Sequence, residues 1–218
     1  MASLLPHRFL FRQSLAVRRE VKLPRGGKQL LGLTAKHRLP DLGELDDAVP
    51  FGDLRVAWNE QGLGISVEVR GKKRPLACDR RDPAVSDGLQ LWIDTRNTQN
   101  IHRASRFCHQ FVVMPRGGGV NRNEAMIEPV LIARAKEPTP LAAPADLSVA
   151  ATVARDGYLL EAWLSAKALH GYDPEAQPRL GFYYLLRDGE LGTQTPAVGE
   201  EFPFAFDPSL WVTLELTK

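Results

Sequence analysis

Ser86-Asp87-Gly88-Leu89-Gln90-Leu91-Trp92-Ile93-Asp94 is the stretch on which the reading of this chain turns. Leu89, Leu91 and Ile93 alternate with Gln90, Trp92 and Asp94, the period of a strand with one face on a core and the other face free for something else. The strand runs directly into TRNTQNIHRASRFCHQF, where two histidines, three arginines, a cysteine and two phenylalanines fall within 17 residues. No other part of the chain is so crowded with chemically capable side chains.

Working outward, the 16 prolines and 18 glycines suit many short strands joined by turns better than long helices, and the 218 residues fit one large β domain. Residues 8–23 read as an N-terminal strand or pair of strands, and 24–28 as a turn that lacks the phosphate-loop frame. Residues 39–53 are rich in proline and acid and read as an irregular approach to the first core strand. A half-buried hairpin follows, 54–58 and 63–70 around a turn at 59–62, with Leu63, Ile65, Val67 and Val69 on one face. Further strands are expected at 106–114, 128–135, 147–155, 158–164, 179–187 and 211–216, with a glycine-rich turn at 115–119. Ser165 reads as the N-cap of one short helix over 166–170, closed by Gly171.

The net charge of +2 is too mild to imply a nucleic-acid partner. Positive charge is nevertheless clustered, in residues 8–28 and again at Arg70, Lys72, Lys73, Arg74, Arg80 and Arg81, while 41–53 is acidic. These clusters read as solvated faces of mixed sign. Pro6, His7, Arg8 and Arg12 interrupt any signal-peptide-like run, and no segment approaches the roughly 20 apolar residues of a membrane span. With two cysteines, Cys78 and Cys108, and no disulfide framework, the expectation is a cytoplasmic protein with reduced thiols and no membrane partner.

Taken in order, these pieces resemble the carbohydrate-binding module family 9-like domains, which are related to the DOMON domains. The resemblance rests on the hairpin over 54–58 and 63–69, the acidic strand 86–94, Asp156-Gly157-Tyr158-Leu159-Leu160-Glu161-Ala162-Trp163-Leu164, Leu180-Gly181-Phe182-Tyr183-Tyr184 and Trp211-Val212-Thr213-Leu214-Glu215-Leu216. It implies an all-β fold, a two-sheet antiparallel β-sandwich with one short helix, over residues 50–218. Residues 1–49 would then be an extension packed on the sandwich of a single domain. It also implies non-catalytic binding of a carbohydrate or other polar small ligand. Two departures from the pattern, an Arg/Lys-rich loop before Asp87 without aromatics and no attached catalytic domain, keep open an alternative in which the sandwich serves a protein partner.

Six residues are the candidate ligand contacts: Trp92, Asp94, His102, Arg103, Arg106 and His109. An aromatic beside hydrogen-bonding groups suits a sugar face, arginine offers a planar fork of donors, and histidine adds a donor or acceptor near neutral pH. The competing expectation for Trp92 is burial beneath the N-terminal segment, and for His109 burial against a carboxylate such as Asp94. Strand parity places His109 and Met114 on opposite faces, which removes them as a haem ligand pair. Cys78, His102, Cys108 and His109 lack zinc-site spacing. No cofactor is expected, and structural calcium on Asp79, Asp82, Asp87 and Asp94 is left open by the resemblance. Ser105, His109 and Asp94 match a triad in composition but lack a nucleophile elbow, so no catalytic residues are assigned.

Overall fold

The computed structural model describes residues 7, 11–26, 29–41, 43–46 and 48–218; Arg8 and the Gly27-Lys28 half of the expected turn lie outside the described residues. Eleven strands are described: β1 (Ser14–Arg18), β2 (Gly52–Asn59), β3 (Gly62–Arg70), β4 (Gly88–Asp94), β5 (Cys108–Gly118), β6 (Glu124–Val130), β7 (Leu147–Ala154), β8 (Gly157–Ser165), β9 (Arg179–Asp188), β10 (Gly192–Gln194) and β11 (Val212–Thr217). They form two sheets. One has the order β1-β11-β9-β4-β5-β6 with β10 added to β9; the other is β2-β3-β8-β7. All pairings are antiparallel except that of β1 with β11, which is parallel. The chain is an all-β sandwich.

The alternation in β4 does the expected work. Leu89, Leu91 and Ile93 lie opposite Val113, Phe111 and His109 on β5, and opposite Leu186, Tyr184 and Phe182 on β9. These side chains meet Leu54, Val56, Ile65 and Val67 from the second sheet in one core. The β2–β3 turn is shorter than 59–62, because both strands pair to Asn59 and Gly62, and Asn59 Oδ1 accepts the Gln61 N–H at 2.9 Å. A Cβ at Gly62 would stand 2.2 Å from the Leu164 carbonyl oxygen, so glycine is what lets β8 pair this closely.

Three sequence expectations are corrected. Residues 166–170 form hydrogen-bonded turns, Ala168 N–H to the Ser165 carbonyl and Leu169 N–H to the Ala166 carbonyl, and not a helix. The Ser165 hydroxyl caps nothing, since Ala166 N–H donates instead to the Gln61 carbonyl at 2.7 Å. Among the described residues, short 3₁₀ turns lie at Ala35–His37, Gly43–Asp46, Pro144–Asp146 and Pro208–Leu210. The expected turn at 115–119 is the end of β5, whose register with β6 slips between Met114 and Gly118. The strand expected at 128–135 is instead Glu124–Val130.

Both sheets are covered on their outer faces. Glu161 on β8 accepts the backbone N–H groups of Leu30, Leu31 and Gly32 at 3.0, 3.0 and 2.9 Å, clamping the N-terminal segment onto the smaller sheet. Leu23, Leu31 and Leu33 then close over Ala57 and Trp163 as a second apolar cluster. The same N-terminal segment supplies β1 to the edge of the larger sheet, so residues before 50 are part of the sandwich as well as a cover on it. None of the described helices is long and apolar enough to cross a membrane.

At the end of β4 and β9 sits a buried ion triad. Lys72 Nζ lies 3.1 Å from Asp87 Oδ2 and 2.5 Å from Asp188 Oδ2, and all three residues are at most 6 % exposed. Ala77 and Gly189 N–H groups complete the Asp87 carboxylate at 3.0 and 2.7 Å. Burial pulls the Lys72 pKa down, but the hydrogen bonds it donates to Asp188 and Asp87 outweigh that, and the ammonium is held above its ordinary value. Removing the ammonium strands two buried carboxylates. Lys72→Met is expected to cost about 3–5 kcal/mol in urea unfolding, and Lys72→Arg, which keeps the charge, less.

Candidate functional site

A groove of about 820 Å³ runs beside β2, the edge strand of the four-stranded sheet, where residues 35–41 and 50–51 form its other side and Leu39 N–H donates to the Leu54 carbonyl at 2.9 Å. Its floor follows from strand parity. Leu54 and Val56 point inward, which turns Asp53 and Arg55 outward, beside Glu68 and Arg70 of β3. Asp53 is paired directly with Glu68, an opposition that would repel. Arg55 resolves it: Nη2 lies 2.6 Å from Asp53 Oδ2 and 3.2 Å from Glu68 Oε2, while Nη1 donates to the Leu33 carbonyl at 3.0 Å. Arg38 Nε adds to Asp53 Oδ1 at 2.9 Å and Arg70 Nε to Glu68 Oε1 at 2.9 Å. The result is a ladder of alternating charge, Arg38, Asp53, Arg55, Glu68, Arg70. Burial pushes the Asp53 carboxyl upward, but hydrogen bonds from Arg55 and Arg38 outweigh it and hold its pKa below the usual value.

The opposite wall is tied to the larger sheet through Gln194 of β10. Its Oε1 accepts the N–H groups of Phe51 and Gly52, both at 3.0 Å, and its Nε2 donates to Asp41 Oδ2 at 3.1 Å and to the Tyr184 hydroxyl at 3.3 Å. Phe51 is half-buried at the rim. Planar guanidinium forks alternating with carboxylates along an open groove, with an aromatic edge, offer paired donors and acceptors to a polyhydroxylated ligand. Side chains of Arg38 and Arg70 are 58 % and 76 % exposed, and Arg55 only 16 %, so the outer arginines can turn to a ligand while the central one holds the floor.

The six residues expected from sequence do not converge. Trp92 is buried on the outer face of the larger sheet, edge-on to Phe204 at 5.3 Å, with Phe204 stacked on Tyr183 at 4.5 Å. The segment that covers it is the one containing Val198 and Phe204, and not the N-terminal segment, whose Leu23, Leu31 and Leu33 lie on the other sheet. Its Nε1–H is buried without a partner among the described residues. Asp94 is fully buried and accepts the N–H groups of Arg96 and Thr98 at 2.9 and 2.6 Å, fixing the turn after β4. Burial holds its pKa above the usual value despite those bonds.

His109 pairs in register with Ile93 and faces the interior, whereas Asp94 faces the other side of the sheet. Its partners are therefore the Thr139 hydroxyl, 3.3 Å from Nδ1, and the His170 carbonyl, 3.4 Å from Nε2, rather than a carboxylate. His102, Arg103 and Arg106 are exposed, each with a different set of contacts. Arg103 Nε donates to the Arg134 carbonyl at 2.9 Å, and Arg106 lies 5.1 Å over Phe107. His102 Nδ1 is 3.2 Å from both Asp207 Oδ2 and Ser209 Oγ. One nitrogen serves both partners, so this trio lacks the relay geometry of a hydrolytic triad, which needs a separate nitrogen for each.

Of the carboxylates considered for calcium, Asp79 pairs with Arg81, Asp87 with Lys72, and Asp94 with backbone N–H groups. Among the described residues no three His, Cys, Asp or Glu side chains gather as a metal site. Cys78 and Cys108 are free thiols; burial pushes them up to about 11 and about 12, so both are protonated.

No protein-family profile and no curated protein sequence matches the chain. Solved structures do. A family 9 carbohydrate-binding module from Caldicellulosiruptor kristjanssonii in complex with glucose aligns over 94 % of this chain and 96 % of its own, with a TM-score of 0.60 at 13 % identity. Its complex with cellotriose gives 0.55 at 13 % identity over 94 % of both chains. The fold is that of a family 9 carbohydrate-binding module. A candidate carbohydrate-binding protein from Bacteroides uniformis also aligns, with a TM-score of 0.59 at 12 % identity over 94 % of this chain and 99 % of its own.

The groove residues were within reach of the sequence. Asp53, Arg55, Glu68 and Arg70 occupy the outward positions of the hairpin, and their cross-strand opposition follows once the turn is fixed at Glu60-Gln61. Arg38, Phe51 and Gln194 carry no such signal, since loop packing brings them there.

Two tests separate structural from ligand roles in the expected set. Trp92→Ala is expected to cost about 3–5 kcal/mol of stability, and Trp92→Phe less than half as much, because it also removes the unpartnered N–H. Burial lowers the His109 pKa from 6.5 to about 4. Between those values the unfolded chain binds a proton that the folded chain does not, so stability is full above pH 6.5 and falls as pH drops toward 4. The loss should reach about 3 kcal/mol, and His109→Leu should flatten that part of a pH series of urea melts.

Proposed function

We propose that this protein is a non-catalytic carbohydrate-binding module whose ligand lies in the groove beside β2. One observation carries the reading: the concave surface is floored by the Arg38–Asp53–Arg55–Glu68–Arg70 ladder and edged by Phe51, on a fold whose solved neighbours include modules in complex with glucose and cellotriose. The ladder is preorganised, since Arg55 is held by two carboxylates and a carbonyl before any ligand arrives, which lowers the ordering cost of binding. Sugar hydroxyls would accept from Arg38 and Arg70 and donate to Asp53 and Glu68, with Phe51 against a ring face.

Calorimetric titration of the full chain with neutral gluco-oligosaccharides tests this. Arg70→Ala and Phe51→Ala are each expected to weaken binding by about tenfold, or about 1.4 kcal/mol, with the fold intact by circular dichroism. An array on which no neutral saccharide binds, or unchanged affinity in both variants, would overturn the assignment in favour of a partner of another kind.

A further inference from the structure

A second concave site stands apart from the groove. Lys73 and Arg74 after β3, Arg116 near the end of β5, and Arg155 in the β7–β8 hairpin line a hollow of about 230 Å³, with Leu76 and Val153 among its apolar lining. Three separate segments thus deliver four cations to one depression. Neighbouring exposed cations are neutralised: Arg70 by Glu68, Arg80 by Glu128 and Arg81 by Asp79. The side chains of Lys73, Arg74, Arg116 and Arg155 make no ion pair among the described residues.

The hollow is also built in advance of any occupant. Lys72, buried between Asp87 and Asp188, anchors the start of the loop. Glu190 Oε2 accepts the backbone N–H groups of Lys73 and Arg74 at 2.9 and 2.8 Å, fixing both residues while leaving their charged ends free. Arg116 falls within the stretch where the β5–β6 register slips, a device that re-aims a side chain out of the regular alternation. Acids close by are Glu190, which accepts these N–H groups, Asp156, and Asp87 and Asp188, which share Lys72, so the four unpaired cations still outnumber the negative charge left over.

We propose that this hollow is an oxyanion-binding site, taking a sulfate, phosphate or carboxylate group that is free or carried on a saccharide. Three arginines and a lysine lining one hollow supply guanidinium forks of the kind that bind tetrahedral or planar oxyanions, and the fixed loop reduces what must be ordered on binding. The site does not depend on the groove, and it gives a role to a basic cluster that by sequence alone is indistinguishable from a solvated face.

The experiment is a thermal-shift and calorimetric titration of the full chain with sodium phosphate, sodium sulfate, and a sulfated cello-oligosaccharide beside its neutral parent, all at one ionic strength set with chloride. Phosphate and sulfate should raise the melting temperature where chloride does not, and Arg116→Ser/Arg155→Ser should weaken binding by at least tenfold. A sulfated sugar that binds more tightly than both its neutral parent and the free ions, with that excess lost in Arg116→Ser/Arg155→Ser, places the anion on a saccharide; a sulfated sugar no tighter than its parent, with phosphate and sulfate still binding, makes the free ion the ligand, and either supports the site. Lys22→Ser/Lys167→Ser, which removes the same charge elsewhere, should leave phosphate and sulfate binding unchanged. Absence of any anion-specific shift, or equal loss in the two double variants, would overturn the proposal.

Discussion

The larger sheet carries bulky apolar side chains on both of its faces, and this two-sided burial is the constraint from which the rest of the architecture follows. The inner face of β4, Leu89, Leu91 and Ile93, meets the second sheet, but Trp92 on the outer face, with Tyr183 beside it on β9, needs a cover of its own. The segment holding Val198 and Phe204 supplies it. A strand in contact on both sides is rigid, and an indole packed edge-on against Phe204 is a core residue whatever its sugar-like neighbours suggest.

Charged groups do similar work at the borders of the core. Glu161 holds three N–H groups of the N-terminal segment, Lys72 holds two carboxylates, and Arg55 bridges Asp53 and Glu68. In each case the cost of desolvating a charge is offset by multiple hydrogen bonds of fixed geometry, so the group specifies where a loop lies more than it adds net stability. The two candidate binding surfaces are by-products of these clamps. Arg55 sets the floor of the groove, and Lys72 with Glu190 sets the loop of the basic hollow.

How much of this was legible differs residue by residue. The period-two pattern of Leu89 to Asp94 gave the strand and its inward face correctly, and parity correctly separated His109 from Met114, which lies in an outer cluster with Val112 and Met126. The crowded segment 95–111 does not gather its chemically capable side chains on one surface. Sequence proximity is not spatial convergence: β4 sends Trp92 and Asp94 to the outer side of the sheet, β5 sends His109 to the inner side, and the loop between them leaves His102, Arg103 and Arg106 exposed. The short helix failed for a long-range reason: Ala166 N–H is taken by the Gln61 carbonyl of the β2–β3 turn, and the bonds that follow, Ala168 N–H to Ser165 and Leu169 N–H to Ala166, span three residues as turns do.

The sequence by itself determined the sandwich, since alternation along a strand is a local property and each inward face is written in consecutive residues. Only the tertiary structure decided which polar residues share a surface. Arg38, Phe51 and Gln194, or Lys73, Arg116 and Arg155, come together through loop placement and sheet order, which depend on long-range packing and leave no period in the chain.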